Sequence, residues 1–125
     1  MAKDKTHAIK WLPDVEDHDY PDAESYLRLI FDDKRVDRMI TELRDAGIIN
    51  FKAKDIFRAS QLSLLGVSNS HVERERKKLQ KGDRLSPLLL VRNESIARVV
   101  IADGYHRLCA IYEFDENASI HCKII

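Results

Sequence analysis

Glycine is scarce in this chain: there are four in 125 residues, and they stand far apart at 47, 66, 82 and 104. That spacing excludes a Walker loop and a dinucleotide fingerprint, which need clustered glycines to bring backbone N–H groups against phosphates. The two cysteines, Cys109 and Cys122, are too few for a disulfide scaffold. Both lie among apolar residues and read as reduced core thiols of a cytoplasmic protein. Net charge is also lacking, since 21 basic residues balance 21 acidic ones. This counts against a protein held to nucleic acid by bulk charge, although it leaves room for a local basic patch. No apolar run approaches the roughly 20 residues of a membrane-spanning helix. Residues 1–7 lack the apolar core of a signal peptide.

What the chain does have is enough apolar side chains (44%) for one folded core. Residues 1–21 read as an irregular acidic arm, with Pro13 and Pro21 around Asp14, Glu16, Asp17, His18 and Asp19. The spacing of these acids matches no standard calcium loop, so no metal site is expected there. A single α+β domain over 22–125 is expected to follow. Ala23, Tyr26, Leu27, Ile30 and Phe31 repeat at helical spacing after Pro21. Asp32 and Asp33 then offer a cap for a second helix carrying Val36, Met39, Ile40 and Leu43, with Gly47 as its stop. A short strand is predicted within 48–53. Beyond it, Arg58 and Ser60 stand between apolar residues as candidates to line a ligand cleft. A further helix over 71–81, closed by Gly82, carries a basic face of Arg74, Lys77, Lys78 and Lys81, with Glu73 spaced to pair with Lys77.

The C-terminal part is the most telling. Leu88 to Val91 and Arg98 to Ala102 read as a hairpin buried on both faces, and the residues around Ser119 to Ile125 as a closing strand. Between them, Asp103-Gly-Tyr-His-Arg107 turns the hairpin straight into a helix that is apolar nearly all round. The first N–H groups of such a helix have no intrahelical partner and carry partial positive charge, which favours an anion. Gly104, Tyr105, His106 and Arg107 are therefore candidate ligand-binding residues. Asp103 is a candidate magnesium ligand or general base. The competing reading makes Asp103 a helix cap and pairs Arg107 with a nearby acid.

Residues 70–125 resemble the ParB/sulfiredoxin-like superfamily in the order of their elements and in this turn. The resemblance rests on a helix ending in glycine, the segment Leu85-Ser-Pro-Leu-Leu-Leu-Val-Arg92, the partner Val99-Val-Ile-Ala-Asp103, the turn Gly104-Tyr-His-Arg107, a helix and a strand. It also extends to small stand-alone ParB-like proteins of bacteria and phages. It implies an α+β fold in which a small mixed sheet forms a core at 70–125, preceded by two to three helices. It further implies a nucleoside triphosphate with Mg2+, or another phosphate ligand, at Gly104, His106 and Arg107, with phosphotransfer or hydrolysis as open alternatives. Arg58 and Ser60 fall where a segment closing over the nucleotide is expected. Tyr105 stands where sulfiredoxins carry a cysteine, which argues against sulfinic acid reduction. No counterpart of the ParB helix-turn-helix domain follows Ile125, so a complete partition protein is not expected. Two other classes compete: a DNA-binding regulatory module using the basic face, and a protein-interaction module without catalysis.

Overall fold

Period-2 alternation within one continuous apolar run organises this fold. In the computed structural model, which describes residues 8–66 and 68–125, the run forms β4, Leu88–Asn93. Leu89 and Val91 point to one face of the sheet and Leu88 and Leu90 to the other, and all four are buried. A run without polar interruption is what a strand covered on both faces needs. β4 pairs antiparallel with β5, Arg98–Asp103, across a short 3-10 turn at Glu94–Ile96.

The rest of the chain covers these two faces. On one lie α1 (Asp19–Leu27) and α2 (Asp33–Asp45), whose Tyr20, Ala23, Leu27, Val36, Ile40 and Leu43 pack with Leu89, Val91 and Ala102. On the other lie α3 (Ala53–Ser60) and α5 (Tyr105–Phe114), packed on Leu88, Leu90, Ile101, Ile120 and Cys122. A further helix, α4 (Ser70–Lys81), lies outside α5 through Val72, Cys109 and Ala110. The four-stranded sheet has the order β2-β6-β4-β5, with β2 at Ile49–Lys52 and β6 at Ser119–Ile124. β6 runs antiparallel to β2 and parallel to β4. Two short strands, β1 (Lys10–Trp11) and β3 (Arg84–Leu85), form a separate parallel pair. The α+β class read from the sequence is observed. Cys109 and Cys122 are free and buried.

Three local expectations need correction. The N-terminal arm is not irregular to residue 21: it contains β1, and α1 begins at Asp19 with Pro21 inside its first turn. Proline is tolerated there because the first helical N–H groups have no partner to lose. The first seven residues of the arm lie outside the described residues. Nor does α1 reach Ile30 and Phe31: it ends at Leu27, and Tyr26 and Ile30 are exposed. Finally, Glu73 pairs with Arg76 rather than Lys77, accepting hydrogen bonds from Nε at 2.8 Å and NH2 at 2.7 Å. A planar guanidinium meets both carboxylate oxygens at once, which an ammonium cannot do.

The 70–125 segment does not form its sheet alone. β2 adds a strand against β6, and α1, α2 and α3 cover surface that the hairpin would otherwise expose.

Candidate functional site

The turn after β5 is shaped by two backbone devices. The first is a bulge. Leu89 of β4 pairs with Asp103, but Leu90 pairs with Ile101, so Ala102 is an extra residue on β5. Ile101 packs toward α5, whereas Ala102 packs with α1. The bulge breaks the alternation, so that Asp103 also meets α1 instead of returning to the α5 face. The second device is Gly104 at φ +103°, against which Leu88 packs so closely that a Cβ would stand 2.6 Å from its Cγ. Only glycine fits that backbone and that space.

Asp103 thus faces Asp19 and Asp22 from the first turn of α1, with one carboxylate oxygen from each within 4.8 Å of the others. Arg107, in the first turn of α5, lies beside this group with its side chain only 11% exposed. Its NH1 donates to the carbonyl of Ser86 at 2.5 Å, and its NH2 to Asp103 Oδ2 at 3.3 Å. Asp19 Oδ2 lies 3.8 Å from NH2, and Glu75 Oε1 of α4 lies 3.6 Å from Nε. Ser86 joins the arm to this network. Its hydroxyl donates to Asp19 Oδ2 at 2.5 Å and accepts from the Glu16 N–H at 3.1 Å. His18 approaches Asp19 Oδ1 at 3.2 Å from the solvent side.

Electrostatically the cluster is acid-rich. Burial pushes the Asp103 carboxyl up to about 6; Arg107 opposes the shift, while Asp19 and Asp22 add to it. His106 is held below the usual histidine value by burial and by His71, against a smaller contrary pull from Glu75. Tyr105 is raised by burial, and its hydroxyl donates to the Ser63 carbonyl. The α5 N-terminus has no side-chain cap, in contrast to α2, capped by Asp32, and α4, capped by Asn69.

No protein family, curated protein or solved structure matches the chain.

The candidates named from the sequence therefore fall into two groups. Asp103, Gly104, Tyr105, His106 and Arg107 form one continuous turn, with Arg107 held by Asp103 and by two acids from other helices. Arg58 and Ser60 lie on α3. Ser60 is buried and closes its own helix, donating to the Phe57 carbonyl at 3.1 Å, while Arg58 is exposed. On the basic face of α4, Lys78 is 3.2 Å from Glu75. A cavity of about 470 Å³ lies between α4, α5 and the start of β1, but no residue of the turn lines it.

Reading the sequence did not find Asp19, Asp22, Glu75 or Ser86 as partners of the turn. One signal was available: Asp19 and Asp22 are three apart around Pro21, a spacing that puts both on the first turn of a helix.

Among the described residues no helix is long and apolar enough to cross a membrane.

Proposed function

We propose that this chain binds a nucleotide or another phosphate ligand together with a divalent cation at the Asp103–Arg107 turn. The observation that carries this reading is the juxtaposition of an uncapped helix N-terminus with three converging carboxylates. The helix end offers free N–H groups to a phosphate. Asp19, Asp22 and Asp103 outnumber the charge of Arg107, so a bare phosphate is repelled and one carrying a cation is not. Hard oxygen donors of this kind suit Mg2+, Mn2+ or Ca2+. The three aspartates would hold the ion, while Arg107 and His106 would contact phosphate oxygens. If the bound phosphate is transferred and Asp19 and Asp22 alone hold the ion, Asp103 is instead the residue that would act as general base.

Calorimetric titration with ATP, CTP and GTP, with and without Mg2+, tests this. Binding should need the cation and weaken by about tenfold or more in Asp22→Asn, which loses a charged ligand to the ion, and in Arg107→Ala, which loses a charged hydrogen bond to phosphate. Asp22 is exposed, so its variant should keep the fold. Absence of binding by every nucleotide and by pyrophosphate overturns the reading, and the turn is then a structural ion-pair network.

A further inference from the structure

Along α4 the charges run Glu73-Arg-Glu-Arg-Lys-Lys78, and the fold sorts them by side. Val72 and Leu79 turn inward against Cys109 and Ala110 of α5. At about 100° per residue, Arg74, Lys77, Lys78 and Lys81 form one stripe on the opposite side, and all four are exposed. The two acids are withdrawn from that stripe. Glu73 spends both oxygens on Arg76, at 2.8 and 2.7 Å. Glu75 turns toward α5, 3.6 Å from Arg107, with only 15% of its side chain exposed. Lys78, at the edge of the stripe, reaches Glu75 at 3.2 Å. Arg74, Lys77 and Lys81 have no acid within ion-pair distance among the described residues.

We infer that this stripe is a docking surface for a nucleic-acid duplex, gripped through its phosphates without regard to sequence. The neutrality of the whole chain speaks against bulk attraction, but not against a stripe whose counter-charges face inward. From Arg74 to Lys81 the stripe runs about 10 Å, close to the roughly 12 Å width of a major groove, so laid across the groove it meets phosphates on both walls. A duplex fits better than two other polyanions. The stripe has no Phe, Tyr or Trp on which the bases of a single strand would stack. Nor has it an apolar residue to enter a lipid surface, since Val72 and Leu79 are committed to α5.

This inference is independent of nucleotide binding and is tested in EDTA, where the aspartate cluster repels phosphate. A dye-labelled DNA duplex, its single strand and anionic lipid vesicles are titrated with wild type, with Arg74→Ala/Lys77→Ala/Lys81→Ala and, as a control on α2, with Lys34→Ala/Arg38→Ala. Wild-type affinity for the duplex should fall by about 40- to 150-fold from about 50 to 200 mM salt, as expected for three to four phosphate contacts. The triple variant should bind about tenfold more weakly or worse at low salt and lose most of the salt dependence. The control should bind as the wild type does. Every substituted side chain is exposed and alanine favours a helix, so both variants should keep the wild-type circular dichroism. Absence of duplex binding at low salt overturns the surface, as does an undiminished triple variant or an equal loss in the control. Tighter binding to the single strand or to the vesicles than to the duplex overturns the choice of partner.

Discussion

Replacing Gly104 with alanine probes the geometry on which the turn depends. The new Cβ meets Leu88 Cγ at 2.6 Å and Cδ1 at 3.1 Å, and Leu88 is completely buried. Two penalties combine. An L-residue held at a positive φ costs about 1–3 kcal/mol. Forcing one carbon into a packed core costs about 1–3 kcal/mol more. The sum, about 2–6 kcal/mol, is a large share of the roughly 5–15 kcal/mol that stabilises a domain. At about 4 °C per kcal/mol for a chain of this size, the melting temperature should fall by roughly 8–24 °C. Urea unfolding followed by circular dichroism measures the change directly. A double-mutant cycle with Leu88→Ala separates the two causes. Truncating Leu88 removes the clash but leaves the backbone penalty, so the pair should cost less than the sum of the single changes by about 1–3 kcal/mol. A Gly104→Ala variant within about 0.5 kcal/mol of wild type would refute the reasoning, because surface changes alone reach that size.

Two further outcomes follow from the same network. Ser86→Ala should lower stability by about 1–3 kcal/mol in urea, because the buried Asp19 carboxylate loses a donor and the Glu16 N–H an acceptor. Unchanged stability would mean that Asp19 finds another donor. The Asp103 carboxyl, raised from 3.8 to about 6, makes the folded protein bind more protons than the unfolded chain between those values. Its contribution is therefore fully present below pH 3.8 and is lost as the pH rises through about 6. In Asp103→Asn that decline should flatten, as read from unfolding free energies at stepped pH. An unaltered pH profile would show that another group titrates there.

The legible parts of this fold were those in which one local rule acts alone. The hairpin and α5 follow from an apolar run, a glycine and a second apolar run. Gly82 closes α4 in the left-handed conformation that the sequence suggests. The bounds of α1 were misread because Tyr26 and Ile30 have helical spacing yet face solvent, and periodicity alone does not say which apolar residues meet a partner. The candidate site was half visible. Its turn is contiguous in sequence, so Asp103 and Arg107 could be read together. Their partners Asp19 and Glu75 come from distant helices, and the bulge at Ala102 that aims Asp103 toward α1 leaves no mark in composition. The competing reading is half met, since Arg107 lies against Asp103, Asp19 and Glu75, while Asp103 does not cap α5.

The strand order has a consequence for how the molecule assembles. β6 follows every other strand in the chain, yet it lies between β2 and β4. Until Ser119–Ile124 is in place, Ile49–Lys52 has no neighbour, and the hairpin stands apart from it. Joining them brings together residues as distant as Ile49 and Cys122, 73 positions apart, and pairings of that span are slow to form. The last strand acts as the wedge that completes the sheet, so a chain cut before Ser119 would display an open edge on β4.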